Sequence, residues 1–185
     1  MEKKTTISTL LHNKEKPLFS SSTLARLSLL VGLGLILFLF ETFIPRPLPW
    51  LKPGLAHVAT LVALYAYGNR AAFIVVIMRI MLGSIILGTL FNPAFILSFC
   101  GGLSATFFMA FTKQYFSSIF SIFGISIIGA TIHNLTQLLL VELIIVQRIE
   151  IFYLTPVMIL SPVFTGFVVA LVSHLIISKI QIASF

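Results

Sequence analysis

The chain has 185 residues, of which 58% are apolar and 9% charged, with 18 Phe and a formal net charge of +7. An average soluble domain carries roughly 25% charged residues, so this chain has too few polar side chains to cover a water-facing surface. A soluble globular enzyme and a disordered chain are both excluded, and an all-α polytopic membrane bundle remains.

Residues 1–26 are polar and basic, with Lys3, Lys4, Lys14, Lys16 and Arg26, and read as a cytoplasmic tail. Six apolar segments follow, at 27–44, 54–68, 71–90, 94–112, 119–146 and 151–177, and predict about six transmembrane helices. The first is too long for a signal-peptide core. It is followed by Pro45, Arg46, Pro47, Leu48, Pro49 and Trp50 instead of a small-residue cleavage site. It therefore reads as an uncleaved helix. A bilayer core of about 30 Å needs roughly 20 helical residues. The third and fourth segments fit that length. The second is short and must tilt or lean on its neighbours. The fifth would extend about 42 Å as one helix, so it must tilt, bend or project. Breaks are expected at Pro53–Gly54, Gly68–Asn69, Asn92–Pro93 and Lys113–Gln114. Pro156 and Pro162 should kink the last segment. The transmembrane domain is expected over 27–178, with a short cytoplasmic C-terminus at 179–185.

With the N-terminus inside, the inner side holds Lys3, Lys4, Lys14, Lys16, Arg26, Arg70, Lys113 and Lys179. The outer side holds Arg46, Lys52 and Arg148. The positive-inside rule then places both termini in the cytoplasm, with the bundle in the cell's inner (cytoplasmic) membrane. These basic residues sit at segment ends, which is a topology signal and not a nucleic-acid stripe. The surroundings are membrane lipid.

The chemistry is restricted further by what the sequence lacks. The five acids are all Glu, and there is no Asp. No Asp-rich metal or diphosphate motif is therefore possible. Cys100 is the single cysteine, and no Cys/His spacing suits zinc. There is no phosphate-binding G-x-x-x-x-G-K-[ST] run. No catalytic residue, metal site or cofactor is assigned.

The residues that are costly to bury are more telling. Arg79 lies near the middle of the third segment, where insertion costs about 2.5–3.5 kcal/mol. It is either a structural ion pair with Glu41 or Glu142, or an anion-binding or gating residue. In the fifth segment, Ser126, Ala130, His133 and Gln137 recur at four-residue spacing and share one face, flanked by Asn134. They are either interhelical glue or the polar wall of a ligand cavity. Trp50 and Lys52 in the first outer loop, with His57 just beyond, either anchor at the interface or close over an outward cavity. Gly32/Gly34, Gly83/Gly88 and Gly101/Gly102 read as close-packing positions.

The run Glu41-Thr-Phe-Ile-Pro-Arg-Pro-Leu-Pro-Trp50-Leu-Lys52-Pro-Gly-Leu-Ala-His57 is followed by Arg79, by Gly101-Gly102-Leu-Ser104, and by Gly129-Ala-x-x-His133-Asn134-x-x-Gln137. Over about residues 26–175 this combination resembles the family called heptaprenyl diphosphate synthase component I, or the Gx transporter family. One name implies a membrane subunit of a two-component prenyl synthase in menaquinone side-chain synthesis. The other implies kinship with S components of energy-coupling factor transporters. Those capture a small solute and dock on a transmembrane coupling subunit with ATPases. Where such S components carry an A-x-x-x-A motif on the first helix, this chain has Ser28-x-x-x-Gly32.

Prenyl transfer needs Mg²⁺ held by paired carboxylates, which this chain does not supply. As part of an enzyme it would be a non-catalytic subunit beside a soluble prenyl synthase. The leading expectation is an S-component-like solute-binding subunit. Its cavity would involve His133, Asn134, Gln137, Arg79, Trp50, Lys52 and His57. The loop at 45–52 would cover it, and its small-molecule ligand would be anionic or hydrogen-bonding.

Overall fold

A computed structural model describes residues 21–44 and 54–182. The described residues form six α-helices and contain no strand. They are α1 (Ser21–Phe43), α2 (His57–Tyr67), α3 (Asn69–Ile86), α4 (Pro93–Phe116), α5 (Ile122–Val141) and α6 (Thr155–Ile182). A π-turn over Glu142–Val146 and a 3₁₀ segment over Ile149–Leu154 join α5 to α6. Five helical stretches are long and apolar enough to cross a membrane. Their outer faces present large apolar side chains such as Ile36, Phe40, Leu160 and Phe164, which suit lipid contact. The chain is a helical membrane protein.

α2 differs from the rest. It has 11 residues, about 16 Å of helix, and spans only about half of a bilayer core. Every residue from His57 to Leu64 is buried. A helix apolar on all sides belongs in a core, and α2 is wrapped by α1, α3 and α6. The short second segment is therefore the bundle's centre.

The element boundaries have local causes. Gly54 turns the chain at φ 79°, and His57 N–H and Val58 N–H bond back to the carbonyls of Gly54 and Leu55. Gly68 alone separates α2 from α3. Its φ of 90° and ψ of −177° are a region open to glycine only. α3 stops at Ile86 and not at residue 90. Gly88 at φ 63° lets Thr89 N–H reach the Ser84 carbonyl at 2.9 Å and Gly88 N–H reach that of Ile85 at 3.1 Å. That is the Schellman pattern of helix termination. Asn92 caps α4 by accepting the Ala94 N–H at 3.3 Å, with Pro93 at the first helical position.

Two further expected boundaries shift. α1 begins at Ser21, inside the stretch read as tail. α4 runs through the expected Lys113–Gln114 break to Phe116. Both polar side chains find partners there: Lys113 Nζ donates to the Leu64 carbonyl at 2.7 Å, and Gln114 Oε1 accepts from Asn69 Nδ2 at 3.3 Å. The long fifth segment bends at the π-turn and closes at Gln147, whose φ is 51° and whose N–H returns to the Glu142 carbonyl at 2.7 Å.

Close packing rests on particular glycines. At Gly102 a Cβ would sit 2.7 Å from Ile80 Cδ1, and at Gly83 it would sit 2.6 Å from the Phe38 ring. At Gly166 it would sit 2.9 Å from the Ile127 backbone, so α5 and α6 meet nearly backbone to backbone. Ser126 Oγ locks that contact by donating to the Gly166 carbonyl at 2.7 Å.

Candidate functional site

Five helices and the turn before α2 converge on one polar chamber. α1 supplies Phe38 and Glu41, the turn before α2 supplies Gly54 and Ala56, and α2 itself supplies His57. α3 supplies Arg79 and Ile80, α4 Ser98, and α5 His133. Glu41, His57, Arg79 and His133 are all buried. The room left among them is about 10 Å³, the space of one water molecule.

The sequence places these groups by simple rules. Glu41 lies near the end of α1, and its Oε1 accepts the Ala56 N–H at 3.1 Å. Ala56 immediately precedes α2, so the carboxylate sits at the positive end of that helix. His57 follows at the first helical position, and its Nδ1 lies 3.4 Å from Arg79 Nη2. The His57 and His133 rings meet edge to face, with centroids 4.7 Å apart. Arg79 reaches this point because Gly34 clears its path: a Cβ there would lie 3.0 Å from Arg79 Cδ. His133 reaches it because Gly101 clears its path: a Cβ there would lie 2.9 Å from His133 Nδ1.

The Glu41 carboxylate also acts electrostatically on the Arg79 guanidinium. The chamber thus combines a cation, an anion, two imidazoles and the Ser98 hydroxyl in an apolar bundle. Arg79 Nε is buried with no hydrogen-bond partner among the described residues. No group of three His, Cys, Asp or Glu side chains converges as a metal site requires, among the described residues. The arrangement is equipped to hold a polar or charged group.

The candidates named from sequence separate into groups. Arg79, His57, His133 and Glu41 come together. Gln137 is fully buried one turn beyond His133, against Gly101, and is not among the chamber's described lining residues. Asn134 faces α6. Its Nδ2 lies 3.4 Å from the Met158 carbonyl and 3.3 Å from Ser161 Oγ. Pro162 has no N–H to give Met158, four residues earlier, so Asn134 supplies the missing donor. Glu142 opens the π-turn half-buried, about 13 Å along the helix axis from His133. It is not among the described chamber lining. Trp50 and Lys52, with the whole 45–52 loop, lie outside the described residues, although Glu41 and Gly54 on either side of it line the chamber.

Ser98 was not singled out by sequence reading. The signal was present: Ser98, Gly101, Gly102 and Ala105 follow helical spacing on one buried face. Lys113 read as a topology residue at a helix end. Besides its bond to Leu64, its Nζ lies 4.8 Å from the centre of the Tyr65 ring.

Comparison with curated proteins gave no match, and comparison with solved structures gave none. The model of the family described as heptaprenyl diphosphate synthase component I matches residues 30–176, which include all four ionisable chamber residues, and the chain belongs to that family.

Proposed function

We propose that this protein is the solute-binding membrane subunit of a transport system, with the Glu41–His57–Arg79–His133 chamber as its capture site. The carrying observation is the burial of these four residues around one chamber inside an apolar bundle. Ionisable groups at membrane depth are expensive and mark ligand pathways. With the N-terminus in the cytoplasm, the chamber lies toward the outer ends of α1, α3 and α5 and the start of α4. A room of about 10 Å³ holds about one water, so a larger solute would need the chamber to widen. A solute would enter by parting α1 from α3–α5. The sequence has no ATP-binding loop, so partner ATPases on a coupling subunit would supply energy.

The test is purification from native membranes in mild detergent, with mass spectrometry of bound proteins and small molecules. A stoichiometric solute that is lost in His133→Ala and Ser98→Ala, with insertion intact, is the expected result. A chamber that retains its solute in both variants would overturn the reading.

A second reading is favoured by the family description, which implies a partner subunit. The chain would then be a membrane accessory to a soluble prenyl synthase carrying the Asp-rich sites absent here. Recovery of such a synthase, with no coupling subunit and no solute, would select it.

A further inference from the structure

The geometry points to Glu41 as a built-in occupant of an oxyanion site, displaced when a carboxylate or phosphate group of the solute binds. This rests on the reading of the chamber as a solute site. Glu41 Oε1 accepts the Ala56 N–H at 3.1 Å, so a carboxylate already occupies the N-terminal end of α2. That end is a favourable place for negative charge. The same carboxylate acts on the Arg79 guanidinium, and Arg79 Nη2 stands 3.4 Å from His57 Nδ1. The donors an oxyanion needs are therefore gathered around Glu41: a helix N-terminal N–H, a guanidinium, and the neighbouring imidazoles and Ser98 hydroxyl.

Two further observations separate this from a plain counter-ion. Arg79 Nε is buried, has no hydrogen-bond partner among the described residues, and belongs to a side chain lining the chamber. A second donor on the guanidinium is thus left over after Glu41 is placed. The chamber also has room for about one water while Glu41 is in it. A larger anion fits only if the carboxylate withdraws. Glu41 lies close to the end of α1.

The occupant competes with the ligand. Apparent affinity is reduced by the fraction of protein in the occupied form. Replacing Glu41 should therefore tighten binding, the reverse of what loss of a binding residue does. The test uses full-length protein in detergent, titrated with inorganic phosphate and with acetate and followed by its melting temperature. Mixed micelles containing dioleoyl phosphatidic acid form a parallel arm. Glu41→Gln is expected to bind the responding anion about tenfold more tightly than the parent if the occupied form dominates by about ten to one. Glu41→Asp, which keeps the charge but shortens its reach, should fall between the two. Arg79→Gln in the Glu41→Gln background should abolish the response.

A response to soluble phosphate or acetate assigns a free solute, and a response to phosphatidic acid alone assigns a lipid headgroup. Unchanged or weaker binding in whichever Glu41 variant folds would overturn the displacement. Absence of any anion response, with an uncharged solute recovered from native membranes, would overturn the oxyanion class and leave the capture reading standing.

Discussion

At the N-terminal end of α2 the Glu41 carboxylate accepts the Ala56 N–H at 3.1 Å, and at the C-terminal end the Lys113 ammonium donates to the Leu64 carbonyl at 2.7 Å. Both contacts complement the helix dipole, with the anion at the positive end and the cation at the negative end. Both satisfy backbone groups that a buried short helix leaves open. The surroundings differ. Glu41 stands among Arg79, His57 and His133 in a chamber, while Lys113 rests half-buried over the neutral ring of Tyr65. The same helix-end chemistry borders a polar chamber at one end and makes a clamp at the other.

That contrast can be broken or sharpened by substitution. The largest effect is expected from Arg79→Ala, which leaves the buried Glu41 carboxylate without its cation. Removing one partner of a buried pair costs about 3–5 kcal/mol, read as a lower melting temperature in detergent. The Glu41→Gln/Arg79→Gln double variant should recover much of that loss.

Gly101→Ala comes next. Its Cβ would meet His133 Nδ1 at 2.9 Å, and overpacking of this kind costs about 1–3 kcal/mol. Binding should fall as His133 shifts, and His133→Ala in the same chain should restore stability without restoring binding. Lys113→Met removes one charged hydrogen bond to Leu64. A loss of about 1–2 kcal/mol is expected with solute affinity unchanged. Altered affinity there would erase the distinction between the two ends of α2.

The smallest effect is expected from Asn134→Ala, which costs about 1 kcal/mol by leaving the Met158 carbonyl without a donor. Pro162→Ala should suppress that loss, because a residue with an N–H at 162 can serve Met158 itself. Thermal melting of the two single variants and the double gives the coupling directly.

Much of the fold was legible in the residues. The absence of enough charge to face water placed the chain in a membrane, and six apolar runs became six helices. Gly54, Gly68, Asn92 and Pro93 marked real turns, because each has a backbone property that punctuates a helix locally. The Lys113–Gln114 break failed for the opposite reason. Lys and Gln are good helix formers, and here Leu64 and Asn69 give them partners from another part of the chain.

The site was legible in part. Arg79 and His133 stood out because ionisable groups are rare in apolar segments. Asn134 stood out equally, yet it serves the carbonyl freed by Pro162, a relation between two helices that spacing within one helix does not reveal. Glu41 and Glu142 were equivalent partners for Arg79 in the sequence, and the packing of α1 against α3 brings Glu41 to the chamber.

By itself the sequence determined the solvent, the helices and most of their ends, since these depend on hydropathy over tens of residues and on the φ preferences of Gly and Pro. Tertiary structure alone decided that the shortest helix is the centre, and which polar groups meet there. Those outcomes depend on how five helices pack around glycines 34, 101 and 102. Contacts between residues as distant in sequence as Glu41, Arg79 and His133 leave no local trace.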